Sequence, residues 1–199
     1  DPDNTITEKR EDNNQACNQI DVVPPRPDLE VKSSDIVLSP PSPFDQGTDV
    51  QVSATIRNIG AAASGATVAT FHDGIPPSPT IGADQTVGPL AIGGSTTVSV
   101  SWRAFPWGGH TICVVVDPGD LIVEINETNN QACVNVAVRR PPELDPTQIA
   151  FTPVPPLLEG TRTWVNVSVE NTGDSAAGAF DVLLFDDLNG NSLPDAGEN

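Results

Sequence analysis

The chain has 199 residues, with 27 Asp and Glu against 9 Lys and Arg, a formal charge of −18, 20 Pro, 16 Gly and neither Met nor Tyr. That balance leaves no basic surface for a phosphate backbone, which argues against nucleic-acid binding, and it disfavours an anionic membrane surface. No stretch approaches the ~20 apolar residues that cross a bilayer as a helix, so direct membrane insertion is not expected, and short apolar runs broken by Pro and Gly point to an all-β chain.

In chain order, residues 1–17 (DPDNTITEKREDNNQAC) come first and return as residues 117–133 (DPGDLIVEINETNNQAC), an offset of 116 that pairs Asp1 with Asp117 and Cys17 with Cys133. Both copies run through a short strand into a Pro-rich joint, Pro24-Pro25-Arg26-Pro27 and Arg139-Arg140-Pro141-Pro142. Residues 47–60 (GTDVQVSATIRNIG) return as 160–173 (GTRTWVNVSVENTG), an offset of 113 that maps Asn58 onto Asn171 and Gly60 onto Gly173. Repeats with a period this long are strings of domains. The expected organisation is therefore the C-terminal strand segment of a preceding domain at 1–22, a complete domain at 27–138, and the N-terminal part of a following one at 143–199 with about three front strands. No basic-then-apolar leader opens the chain and it starts without Met. It is expected to be a processed chain, a fragment or a window on something longer.

Within the complete copy a leading strand is expected near Leu29–Leu38. Val50, Val52, Ala54 and Ile56 then alternate with polar neighbours, as do Thr96, Val98, Val100 and Trp102, the period-two signature of a strand with one buried face. Ala66–His72, His110–Val116 and Gln131–Val138 complete roughly seven strands, the pattern of an immunoglobulin-like β-sandwich. The predicted fold class is all-β, with tandem immunoglobulin-like sandwiches of which the first and last are incomplete.

The segments PDLEVKSSDIVLSP, GTDVQVSATIRNIGAAASG and GGHTICVVVDPGDLIVEINETNN resemble a CARDB module, the cell adhesion related domain found in bacteria. The most specific part is the ending at Val115–Asn130, echoed at Asp1–Asn14. The resemblance implies an immunoglobulin-like sandwich, usually in tandem, in large secreted or surface-attached prokaryotic proteins, and it carries no catalytic residues.

If HTICVVV and NNQACVNV form a hairpin with its tip near Val123, Cys113 and Cys133 are equidistant from the tip and face each other. A Cys113–Cys133 bridge is expected, in an oxidising extracellular setting, against the alternative of two buried thiols. The partner of Cys17 by the same offset (113 − 116) falls four residues before Asp1, so Cys17 is expected to be unpaired in this chain; a free thiol or an intermolecular bridge stays open.

The last residues read FDDLNGNSLPDAGEN. Counted from Asp187, the EF-hand ligand positions fall on Asp187, Asn189, Asn191, Leu193 (through its carbonyl), Asp195 and Glu198, with Ser192 in place of the turn glycine. A structural calcium ion (Ca2+) is the expected cofactor, against a bare acidic turn. Asn126-Glu-Thr128 and Asn166-Val-Ser168 match the glycosylation tripeptide, a pattern that chance also produces. His72 and His110 lack zinc spacing, the GGH at 108–110 reads as a turn feeding a strand, and Trp102 falls on the apolar phase while Trp164 aligns with the outward Gln51. No nucleophile, phosphate-loop or dinucleotide pattern is present, so no enzyme is expected. The leading functional expectation is a rigid extracellular array forming a stalk, sheath or fibre, whose partners are neighbouring repeats or other copies. Two alternatives are an adhesion module for carbohydrate or a surface protein, and a head-to-tail filament in which residues 1–22 donate a strand to the next copy.

Overall fold

A computed structural model describes residues 3, 5–10, 12 and 15–185. Among the described residues eleven strands follow in chain order: β1 (Leu29–Glu30), β2 (Ile36–Ser39), β3 (Phe44–Asp45), β4 (Asp49–Asn58), β5 (Thr67–Asp73), β6 (Gln85–Val87), β7 (Ser95–Arg103), β8 (Gly108–Val116), β9 (Gln131–Arg139), β10 (Leu144–Thr152) and β11 (Trp164–Asn171). The first nine form two sheets. In one, β4 is flanked by β7 on one edge and by β1 and β2 on the other; the second runs β3-β9-β8-β5-β6, with β3–β9 parallel and the rest antiparallel.

The alternation read from the sequence puts Val50, Val52, Ala54 and Ile56 at 0% exposure on β4, and Trp102 at 5% on β7. They pack against Phe71, Ile112, Val114, Val116, Val136 and Val138 of the other sheet. Each fully buried Val or Ile there contributes about 1.5–3 kcal/mol, which is what holds two amphipathic sheets face to face.

Nine strands stand where about seven were expected. The leading strand splits into β1 and β2 around a 3-10 turn at Ser33–Asp35, because Asp35 accepts the Lys32 N–H at 3.2 Å and pairs with Arg57 of β4. The Arg57 guanidinium holds the Asp35 carboxyl below its ordinary range. β3 and β6 are two and three residues long, too short to show periodicity. The GGH opens β8 itself rather than preceding it.

β10 and β11 form a separate antiparallel pair. Its register, Ile149↔Val167 and Phe151↔Val165, repeats Ile36↔Ala54 and Leu38↔Val52 with 113 added to both strands. Leu29 and Ile36 are seven residues apart while Leu144 and Ile149 are five apart. The second copy thus lacks the turn and runs through as one strand with an irregularity at Pro146–Gln148. Gly47 and Gly160 take the same left-handed backbone, φ 86° and 78°. Residues 172–185 add no third strand, although Phe180 and Leu184 line a cleft of about 410 Å3 against Ile149 and Val167. Nor do residues 15–28 form the short strand expected at the end of the first copy. Its counterpart β9 is flanked by β8 and β3, whereas no strand pairs with 15–28 among the described residues.

Candidate functional site: a loop latch and a junction

The hairpin β8–β9 is joined by residues 117–130, the stretch that repeats at the N-terminus. Asp117, 4% exposed with φ 49°, accepts the Thr67 hydroxyl at 2.7 Å and the Ile122 N–H at 2.8 Å. Aspartate is among the few residues that tolerate this backbone region. Glu124, 3% exposed, accepts the Leu29 N–H on one carboxylate oxygen and the Asn130 amide at 3.1 Å on the other. Asn129 donates its amide to Asp28 at 2.8 Å, and the Ile125 N–H reaches the Pro27 carbonyl at 2.9 Å. Four of these bonds tie the hairpin loop to Thr67 and to residues 27–29, and the other two brace the loop internally, so the family-like ending at Val115–Asn130 is a structural latch that pins β1.

Burial pushes the Glu124 carboxyl above its ordinary 4.5, against the opposing pull of its two donors. The folded chain therefore holds this proton more tightly than the unfolded chain does, and stability falls as pH rises through the raised folded value. Glu124→Gln is expected to flatten that fall above pH ~4.5. It should also cost about 1–3 kcal/mol, because the two donors meet different carboxylate oxygens and the amide nitrogen that replaces one of them would face a donor. Guanidinium unfolding across that range checks it; unchanged slopes in the variant would refute the assignment.

At the opposite end of β8, His110 Nδ1 lies 2.9 Å from both Asp73 carboxylate oxygens and Nε2 lies 2.8 Å from the Pro106 carbonyl. Trp102 Nε1 donates to the same carboxylate at 3.2 Å, and its ring meets Phe44 and His110 edge-on at 5.9 and 5.2 Å. His72 points to the other face of that sheet, bonded to Ser78 and Thr70. The two histidines are thus each satisfied by local partners and do not converge. Among the described residues no group of three His, Cys, Asp or Glu could hold a metal ion.

Cys113 and Cys133 stand opposite each other in the β8–β9 register and form a disulfide across a Cα–Cα distance of 4.1 Å. The bridge sits on the outer face of its sheet, beside His72 of β5. Cys17 is free and exposed. Asn126 lies exposed on the latch loop and Asn166 exposed within β11. Trp164 is 73% exposed. The expected calcium ligands Asp187, Asn189, Asn191, Leu193, Asp195 and Glu198 lie outside the described residues.

Sequence reasoning missed the junction between β9 and β10. The Arg140 guanidinium lies 5.9 Å over the Trp107 ring, donates to Asp174 at 3.2 Å and reaches the Thr172 carbonyl at 3.3 Å. Asp45 accepts the Ser175 hydroxyl at 2.8 Å and pairs with Arg139 at 3.4 Å. These partners hold the Asp45 and Asp174 carboxyls below their ordinary range, Ser175 first for Asp45 and Arg140 for Asp174. The adjacent basic pair Arg139-Arg140 before two prolines was the available signal, but its partners are distant in sequence.

The CARDB family model matches residues 26–134. Among solved structures, the CARDB domain of a Pyrococcus furiosus protein, crystallised in complex with di-metal ions, is 23% identical with a TM-score of 0.49; the match covers 57% of this chain and 89% of that one. A domain of a proposed cell-surface protein of Methanosarcina acetivorans is 25% identical (TM-score 0.44, covering 57% and 92%). A Geobacter metallireducens domain is 27% identical (TM-score 0.43, covering 52% and 91%). Among curated proteins none matches significantly.

Proposed function

Because the chain belongs to the CARDB family, we propose that it is a non-enzymatic piece of an extracellular tandem array, in which sandwiches joined at short Pro-rich links form a stalk, sheath or fibre. The observation that carries this reading is the junction at 139–142. A linker that merely tethers leaves its neighbours free to reorient. Here Arg140 touches the Trp107 loop on one side and Asp174 on the other, Asp45 reaches across to Ser175, and Pro141-Pro142 restrict φ between them. The repeated register of β10–β11 supports a second copy of the same unit on the far side. A calcium site at 187–198 would belong to that second unit, and calorimetry with calcium on a chain that completes the unit tests it.

The Arg139 and Arg140 contacts are exposed and the Asp45–Ser175 bond is half-buried, so each contributes at most about 1 kcal/mol to stability and their main expected effect is on geometry. Spin labels at the exposed Ile92 and Trp164, in a Cys17→Ser background, should give a narrow distance distribution in the native junction. Arg140→Ala with Ser175→Ala should broaden it at an unchanged unfolding midpoint. A native distribution as broad as the variant's would defeat the stiff-array reading.

The adhesion alternative rests on Phe105, 60% exposed, beside Trp107 at 55%, since exposed aromatics suit sugar and protein sites. Arg140 already covers one face of Trp107, which favours the junction. Glycan binding by the chain, abolished by Phe105→Ala, would reverse that preference. Strand donation between copies draws on the exposed Ile149, Phe151 and Val165, and predicts a mass that grows with concentration.

A further inference from the structure

We propose that Asn126 is the acceptor of an N-linked glycan and that Asn166, which opens the same kind of tripeptide, is not. The inference rests on the proposed export of the chain, because this modification belongs to surface loops of secreted proteins.

The two tripeptides differ in conformation. At Asn126 the side-chain oxygen is tied back within the tripeptide: Oδ1 accepts the Thr128 N–H at 3.1 Å and the Thr128 hydroxyl at 2.7 Å, closing an Asx turn. The oxygen is thereby turned inward, and the amide nitrogen has no hydrogen-bond partner among the described residues. Both residues are exposed. The loop beneath them is held by Glu124, by Glu127, which accepts the Glu124 N–H at 2.7 Å, and by the Ile125 bond to Pro27. At Asn166 the backbone is extended and paired with Ala150 in the β10–β11 ladder. Among the described residues no hydrogen bond joins the Ser168 hydroxyl to the Asn166 side chain, so the turn that closes the first tripeptide is not formed in the second.

Leu121, Val123 and Ile125 on the same loop are 82, 63 and 59% exposed, apolar surface that a bulky hydrated group beside them would shield. The donor is an oligosaccharide linked through its anomeric carbon to a lipid phosphate. The Asn126 nitrogen forms a bond to that carbon, the carbon–oxygen bond to phosphate breaks, the phosphate leaves with the electron pair, and the amide gives up a proton to the transferase.

The full chain, given an export signal, can be produced in cells that carry an N-oligosaccharyltransferase and weighed intact before and after enzymatic removal of N-glycans. The expected result is one glycan increment, lost completely in Asn126→Gln and Thr128→Ala, restored in Thr128→Ser and unaffected by Asn166→Gln. A bare Asn126 in chains whose Cys113–Cys133 bond has formed, or a glycan on Asn166 with Asn126 bare, would overturn the assignment. The export reading fails separately, if the native cells hold the chain with both of those cysteines reduced.

Discussion

Replacing Asn58 with alanine is expected to destabilise the sandwich by about 3–5 kcal/mol, among the largest effects of any single polar substitution in this chain. Asn58 is 0% exposed at the end of β4, and its side chain serves five backbone groups. Oδ1 accepts the N–H groups of Asp28 and Gly60 at 3.2 and 3.1 Å; Nδ2 faces the carbonyls of Ala62, Leu90 and Ala91 at 2.8, 3.0 and 3.3 Å. Three chain segments therefore close around one amide, and removing it leaves buried donors and acceptors with no route to water. Asn58→Asp is no remedy, since a carboxylate would face carbonyls.

The repeat supplies a control. Asn171 makes the matching bonds, accepting the Glu143 and Gly173 N–H groups at 3.1 Å each and donating to Ser175 at 2.9 Å, but it is exposed. Water can replace each lost partner there, so Asn171→Ala is expected to cost less than ~1 kcal/mol. Equal losses in the two variants, followed in guanidinium by the fluorescence of the buried Trp102, would show that burial is not what makes Asn58 costly. Gly60 belongs to the same knot: a Cβ there would stand 2.4 Å from the Asp28 backbone nitrogen, so a side chain would push β1 off β4.

Much of the sandwich is legible because period two is a local property. Val50 to Ile56 and Thr96 to Trp102 declare their buried faces without reference to anything else in the chain. The β8–β9 register is legible for a related reason, since two cysteines symmetric about Val123 fix which residues stand opposite each other. What escaped is whatever depends on a distant partner. The stretch at Val115–Asn130 can be recognised as a family-like ending, but its task depends on Glu124 meeting the Leu29 N–H, 95 residues away. The junction depends on Ser175 meeting Asp45, 130 residues away. β3 and β6 escaped because strands this short exist only where a neighbouring strand offers its edge. Asn58 and Asn171 stood out as a repeated pair, yet nothing local says that one is buried and the other is not.

Removing the Cys113–Cys133 bridge, by reduction or by alanine at both positions, is expected to cost about 3 kcal/mol, the chain-entropy value for a loop of 20 residues. The bond lies on the outer face of its sheet, so its loss opens no cavity between the sheets, and the effect acts mainly through a less constrained unfolded chain. The two routes should therefore agree, and a double variant within ~1 kcal/mol of native would contradict the estimate. A mechanical measurement separates this bridge from ordinary stabilisation. β9 leads directly into the Arg139–Pro142 junction, so in the proposed array tension would enter the sandwich through β9. With the bridge closed, peeling of β9 stops at Cys133 and the pull passes to β8; the residues between the two cysteines cannot extend. Single-molecule pulling should then show unfolding steps that lengthen on reduction by roughly 70 Å, the reach of 20 extended residues. Steps of unchanged length would mean that the cysteines are not joined in the chain under load, and that resistance to pulling comes from the β8–β9 ladder alone.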